Sequence, residues 1–463
     1  MHECDVAVIG AGPGGYVAAV RAAQRGAKTL VIEHKELGGV CLNWGCIPTK
    51  TLIHTAELYR KLQHADEFGL NVDGVRVDLK ALLAWKDEVI KRNKSGIQGL
   101  FKAHGIEVIR GRAQVTAPGV IAVGKDEVRA KAIIIATGSA PAQLPGLETD
   151  GKKIITSTEA LELDKLPGRI AVIGGGPLGA EFACLWNALG VEVDLIEMMP
   201  TLLPLADEEL TKRLAAILKR RGMHVHTGTA VEALKKTKKG VSVALKDSKA
   251  EPLDVDLVLV GIGCKYNSEA VTETPGLGVE VGPRGAILVN ERMETNVPGI
   301  FAVGDVVGKT MLAHGASAEG VVAAENATGA NKTIDYRVVP SCTFTAPEVA
   351  TVGLTEKAAR EAGIDVKIGR FPFKASGRAQ AMGETEGMVK IVGDAATDEV
   401  VGVHIMGPEA GELIAAGALA IQMEATVEEI ADTIHTHPTL SETMKEAAED
   451  YFGLSIHTPP RTK

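Results

Sequence analysis

Residues 5–33, DVAVIGAGPGGYVAAVRAAQRGAKTLVIE, decide how this chain folds. A short apolar run at 6–9 meets Gly10, Gly12 and Gly15; an alanine-rich helical stretch follows, then a second apolar run ending at Glu33. The spacing predicts a β-α-β unit with a G-x-G-x-x-G turn. In such a turn the first glycine permits the tight bend, the second lets a pyrophosphate reach the backbone, and the third lets helix and sheet pack closely. The free N–H groups of the helix start then face the phosphates. Glu33, just past the second strand, is placed to accept a hydrogen bond from a ribose hydroxyl.

The unit occurs twice. Residues 169–197, RIAVIGGGPLGAEFACLWNALGVEVDLIE, repeat strand, glycines (Gly174, Gly176, Gly179), helix, strand and acid (Glu197). Gly10 to Glu33 and Gly174 to Glu197 both span 23 positions. Two dinucleotide-binding domains follow, each with its own nucleotide. Glu197 would repel a 2′-phosphate, and the following MMPTLL offers no arginine to receive one, so the second site should prefer NAD to NADP.

At 463 residues the chain is too long for one core. Its 52 glycines and 3% aromatics lean towards an α/β protein with many tight turns. A net charge of −9 argues against nucleic acid as the main partner. No apolar run reaches the roughly 20 residues that span a bilayer, so a membrane is not an expected partner either. The start, MHECDVAVIG, is acidic and enters a strand at once, which reads as neither a secretory signal nor a transit peptide. The expectation is a cytoplasmic protein, or a mitochondrial matrix protein without its leader. The expected division is 1–146 and 147–270 for the two nucleotide domains, 271–338 completing the first, and 339–463 as a separate α+β domain. The run AIIIATGSAPAQLPG, with its exit near Gly146, makes the first crossing; LVLVGIG is its counterpart in the second unit, and TNVPGIFAVGDVVG gives a strand ending at Gly304 and Asp305.

Six cysteines do not make a disulfide scaffold. Cys4, Cys184, Cys264 and Cys342 stand alone, whereas GGVCLNWGCIPTK places Cys41 and Cys46 five residues apart. Zinc would need two more ligands at matching spacing, and neither His34 nor His54 completes a pattern. A structural disulfide over so short a loop stabilises little. A catalytic dithiol/disulfide fits the position better, directly after the first nucleotide unit. In a regular helix residues five apart are rotated by about 140°, so Gly45 and a helix start would have to distort the chain. Lys50, one turn later, could reach the same nucleotide ring.

GGVCLNWGCIPTK resembles the redox-active motif of the flavin-dependent pyridine nucleotide–disulfide oxidoreductases. ATGS, FAVGD and the C-terminal HTHPTLSE resemble the same family in the same order, and the likeness covers essentially the whole chain. It implies an α/β fold of two Rossmann-like dinucleotide-binding domains, for FAD and NAD, with a C-terminal α+β dimerisation domain. Gly10, Gly12, Gly14, Gly15 and Glu33 would hold the ADP half of FAD, with Ala113 near the adenine. Thr137, Gly138, Lys50, Asp305, Met311, Leu312, Ala313 and His314 would complete the FAD site. Gly174, Gly176, Gly179, Glu181, Glu197, Val231 and Gly263 would line the NAD site, and Glu181 would also pair with Lys50.

The resemblance further makes Cys41 the thiol that exchanges with substrate and Cys46 the one beside the flavin. His437 would be the base and Glu442 the acid that orients it. Histidine suits a thiol proton near neutrality, but only the HPTLSE register separates His437 from His435. The base is contributed across a homodimer in this family. The likeness points to the branch that reoxidises dihydrolipoamide with NAD+, its substrate carried on the lipoyl domain of an acyltransferase or of a glycine cleavage carrier protein. Another disulfide reductase of the family, or a structural subunit of such a complex, is the alternative. NADPH-using branches are disfavoured by Glu197, and mercuric reductases by a tail without cysteine. The chain departs from the family pattern at Cys264 and Lys265, which stand where an arginine-containing segment is expected beside the NAD site, and at Ser376 and Gly377.

Overall fold

The computed structural model describes residues 1–143, 145–246 and 251–459; Leu144 of the first crossing and the last four residues of the cysteine-free tail lie outside them. The opening stretch folds as strand β1 (His2–Ile9), helix α1 (Pro13–Gln24) and strand β2 (Thr29–Glu33). Helices α2 (Gly39–Trp44), α3 (Cys46–Gln63) and the long α4 (Leu79–Ala103) then lead back to β3 (Glu107–Arg110). Strands β4 (Ala113–Ala117), β5 (Val120–Val123) and β6 (Asp126–Ile135) complete a sheet ordered β3-β2-β1-β6-β5-β4. Its centre is parallel and buried on both faces, which is why β2 is buried at every position. β7 (Ser139–Pro141) leaves this sheet for the second domain.

That domain repeats the plan. β8 (Ile154–Ile155) and helix α5 (Ser157–Ala160) precede β9 (Arg169–Ile173), α6 (Pro177–Ala188), β10 (Glu192–Glu197), α7 (Glu208–Arg220) and β11 (His224–Thr227). An antiparallel trio, β12 (Val231–Lys236), β13 (Val241–Leu245) and β14 (Leu253–Val255), intervenes before β15 (Leu257–Val260) closes the order β11-β10-β9-β15-β8. β16 (Cys264–Tyr266) pairs antiparallel with β7, so the two crossings between domains lie side by side.

After α8 (Glu269–Thr272) the chain returns to the first sheet, where β17 (Ile300–Ala302) pairs in parallel with β6. The strand ends at Ala302, two residues short of the sequence expectation, because Gly304 takes a φ of 75° and opens a 3-10 turn over Gly304–Val307. Helix α9 (Ala313–Ala327) then packs on α1. Only small residues permit that contact: a Cβ on Gly320 would lie 2.4 Å from the Gly14 carbonyl oxygen.

The last layer is an antiparallel sheet of β18 (Ser341–Thr343), β19 (Glu348–Gly353), β20 (Val366–Pro372), β21 (Met388–Asp394) and β22 (Val400–Gly407), ordered β18-β19-β22-β21-β20. Helices α10 (Glu356–Glu361), α11 (Gly377–Ala381), α12 (Ala410–Gln422), α13 (Val427–Asp432) and α14 (Glu442–Tyr451) surround it. The side chain of Ser376 caps α11 by accepting from the Ala379 N–H, and Gly377 opens that helix. A polar cluster joins this sheet to the second domain: Lys390, 2% exposed, donates to both oxygens of Asp207, itself the N-cap of α7. Among the described residues no helix is long and apolar enough to cross a membrane.

Candidate active site

Gly10, with φ 101°, turns the chain so tightly that a Cβ there would meet the Ala136 carbonyl oxygen at 2.3 Å. Gly15 lies against the Gly10 carbonyl, where a Cβ would come within 2.0 Å. Between them Gly12 caps α1 without any side chain bonding to the helix start, leaving its N-terminus for an anion. Glu33 closes the loop by accepting from the main-chain N–H of Ala11 at 2.8 Å and of Lys35 at 2.7 Å. The second unit repeats this arrangement. A Cβ on Gly174 would lie 2.3 Å from the Gly261 oxygen, and one on Gly179 1.9 Å from the Gly174 oxygen. Gly176 is open, and Glu197 accepts from Gly175 at 2.6 Å and Met199 at 2.7 Å. Both loops have the shape that a dinucleotide's pyrophosphate and ribose require.

Cys41 and Cys46 lie on different helices. Gly45, at φ −142° and ψ −114°, breaks α2 from α3 and puts Cys46 at the first position of the new helix. The break removes the rotation that a continuous helix would impose, and the two thiols, both free, share a hydrogen bond. Asn43 braces the turn by donating to the carbonyls of Leu37 at 3.0 Å and Gly39 at 2.9 Å. The hydrogen bond from Cys41 holds the Cys46 thiol down to about 7; Lys50 helps, while burial and Glu181 oppose it. Cys41 is pushed up by that same bond and by burial. The charge of Lys50 thus favours a thiolate at Cys46.

Lys50 Nζ donates to Glu181 at 2.9 and 2.7 Å, joining α3 of the first domain to α6 of the second. Glu181 also accepts from the main-chain N–H of Phe344. Asp305 accepts from Ser139 Oγ at 2.6 Å. Gly304 is fixed by Glu319, whose buried carboxylate accepts the Gly304 N–H at 2.5 Å and the Tyr336 hydroxyl at 2.8 Å. Met311 has φ 52°, Leu312 and Ala313 begin α9, and His314 Nε2 bonds the Pro340 carbonyl at 2.6 Å. Ala113 starts β4 opposite Val123. Thr137 donates to the Asn267 carbonyl at 2.5 Å, and Gly138 accepts the Asn267 N–H.

The Cys264 departure sits at this crossing. Cys264 lies opposite Pro141 in the β16–β7 pairing, with Ser139 and Asp305 acting on its thiol; Lys265 pairs with Glu269 at 2.7 Å. Gly263, with φ 105°, accepts the Ala142 N–H, and Val231 opens β12 opposite Leu245. Sequence reasoning did not single out Ser139, Glu319, Tyr336 or Phe344. Ser139 stands inside the quoted ATGS run and could have been found there; the other three act through contacts distant in sequence.

On the C-terminal domain His437 Nδ1 lies 2.9 Å from Glu442 Oε1, and Glu442 Oε2 accepts the Thr439 N–H at 2.8 Å. Burial pushes the Glu442 carboxyl up, but the bonds from Thr439 and His437 prevail and keep it below the usual carboxylate range. His435 Nδ1 bonds the Thr433 carbonyl at 2.8 Å. The His437 ring is 80% exposed, and among the described residues no hydrogen bond or ion pair joins it to the cysteines of the same chain.

Residues 4–320 match the pyridine nucleotide-disulphide oxidoreductase family, and residues 339–448 match its dimerisation domain. The chain is 47% identical over 461 residues to a dihydrolipoyl dehydrogenase of Thermus scotoductus, covering 99% of each. It is 42% identical to the dihydrolipoyl dehydrogenase of Bacillus subtilis, over 98% of this chain and 99% of that one. Among solved structures it resembles LpdA from Mycobacterium tuberculosis, with a TM-score of 0.88 at 28% identity, covering 97% and 99% of the two chains.

Proposed function

The chain belongs to the pyridine nucleotide-disulphide oxidoreductases, and from that premise we propose that it oxidises protein-bound dihydrolipoamide to lipoamide with NAD+, through Cys41 and Cys46. The observation that carries this reading is the thiol pair brought together across the Gly45 break, beside the Lys50–Glu181 ion pair. The curated relatives cited above bear the corresponding name.

The first glycine cradle fits the pyrophosphate of FAD, with Gly10, Gly12, Gly14, Gly15 and Glu33 as its holders; the second fits NAD. Bound FAD supplies the two-electron relay between a dithiol and a nicotinamide. The protein's own residues do the thiol chemistry. His437, oriented by Glu442, takes a proton from one substrate thiol, and the resulting thiolate attacks Cys41 Sγ of the oxidised pair. The Cys41–Cys46 bond breaks, leaving a mixed disulfide and a Cys46 thiolate. The second substrate thiol then attacks its neighbour's sulfur as its proton passes to the departing Cys41, closing lipoamide and leaving Cys41 a thiol, Cys46 a thiolate and His437 protonated. Cys46 is thereby left charged next to Lys50, where charge is favoured.

The exposed His437 ring suits a pair from one protomer that serves the dithiol of its partner in a homodimer. Leu419, Met423 and Ile434, all strongly exposed on the same domain, suit such an interface. The lipoyl group arrives on a partner's lipoyl domain, from an acyltransferase or a glycine cleavage carrier protein, and the expected location is the cytoplasm. The test is the initial rate of NADH formation from dihydrolipoamide by FAD-loaded protein, with NADP+ in parallel. Rapid turnover with NAD+ and little with NADP+ is expected. No turnover, with flavin still reducible by NADH, would move the assignment to another disulfide substrate.

A further inference from the structure

The Lys50–Glu181 pair is touched by a third element. Phe344, in the loop after β18, donates its main-chain N–H to Glu181 Oε1 at 2.9 Å, and its ring centroid lies 4.8 Å from Lys50 Nζ. One residue of the C-terminal sheet thus grips both partners of an ion pair built from the two nucleotide domains. We propose that Phe344 is a positioning residue for the dithiol reaction, capping the Lys50–Glu181 pair so that the ammonium stays directed at Cys46. This rests on the reading of Cys41 and Cys46 as the redox pair.

The physical argument is one of screening. Lys50 is 32% exposed, whereas Glu181 is 7% exposed. Water on the uncovered side of an ammonium weakens its field on a neighbour. A ring face attracts the cation and occupies the place that water would take. The groups facing the thiol pair come from every packed element. Cys41 lies on α2, Lys50 on α3 and Glu181 on α6; Tyr16 reaches Cys41 from α1, and Cys342 reaches Lys50 and Glu181 from β18. Burial pushes both Tyr16 and Cys342 up, so neither carries charge near neutrality. The balance that remains is Lys50, which favours a Cys46 thiolate, against Glu181, which opposes it. Phe344 sits on both.

The test reads Cys46 itself rather than turnover. In FAD-loaded protein reduced to the dithiol, the pH midpoint of Cys46 alkylation is followed by mass spectrometry for wild type, Phe344→Leu and Phe344→Tyr. Leucine keeps the main-chain N–H and an apolar cover but removes the ring face. It should raise the midpoint by about half a unit, or roughly twofold slower alkylation at pH 7. Phe344→Tyr should track the wild type. Coincident midpoints for leucine and wild type would overturn the proposal and leave Phe344 as packing. Should the leucine variant not fold, Phe344→Met carries the same comparison. Turnover that survives Cys46→Ser would instead remove the redox-pair reading beneath it; an inert Cys46→Ser with a flat Phe344 series removes only the positioning role.

Discussion

The two nucleotide units agree atom for atom at their acids and part company one layer out. Glu33 takes the N–H groups of Ala11 and Lys35, and Glu197 takes those of Gly175 and Met199. Around the first loop the chain closes in: a Cβ on Gly39 would lie 2.6 Å from Gly12 Cα, and Gly14 backs onto α9 at Gly320. Around the second, Gly176 has nothing within 4 Å of its Cβ position, and Leu178, the counterpart of Gly14, is exposed. We infer that the shared loop selects a dinucleotide and that the walls set how long it stays. An enclosed cradle suits a resident FAD, and an open one suits an NAD that must enter and leave.

The sharpest way to break the comparison is at the third glycines. Gly15→Ala forces a methyl to within 2.0 Å of the Gly10 oxygen and should yield protein without flavin, read from its visible spectrum. Gly179→Ala forces the same clash, at 1.9 Å, in the second unit. It should leave flavin bound and abolish turnover with NAD+. Equal flavin loss from both variants would mean that the units do not act separately.

A smaller effect is expected from Glu197→Gln. The amide can still accept one main-chain N–H, but the charge is gone. KM for NAD+ should rise about tenfold, preference over NADP+ should narrow, and flavin content should not change. Unaltered nucleotide preference would place discrimination elsewhere.

The smallest effect concerns how the second unit is held. Lys390 ties Asp207 and Glu356 together, the latter at 2.9 Å. Burial pushes the Glu356 carboxyl up, but hydrogen bonds from Lys390 and Arg360 prevail and hold it at about 2, below its ordinary 4.5. A depressed carboxyl stabilises the fold fully above its unfolded value, and that contribution disappears as pH falls through the folded one. Tm should therefore drop as pH falls from 4.5 towards 2, and Glu356→Gln should flatten this slope. An unchanged slope would show that Glu356 does not carry it.

These cases also show what the amino-acid order made legible. Both cradles, both acids and the cysteine pair follow from local spacing, so they could be read directly, whereas His437 and Glu442 were legible only through the family resemblance. At Gly45 the local sequence shows only a need for distortion; the backbone angles that deliver it, φ −142° and ψ −114°, are visible only in the fold. Cys264 was expected beside NAD from its place in the family pattern; its pairing with Pro141, more than a hundred residues away, has no local signal in the sequence. Glu319 and Phe344 have no local signal, because each gains its role from a partner on another element. Ser376 caps a short helix, and nothing further in the structure explains the departure there.

The account stands on electrons entering through the dithiol at one cradle and leaving at the other. Anaerobic titration of FAD-loaded Cys46→Ser protein, followed by the flavin's visible absorption, tests this from both sides. NADH should bleach the flavin as in wild type, while dihydrolipoamide should leave it oxidised. Bleaching by dihydrolipoamide in that variant would contradict the assigned path.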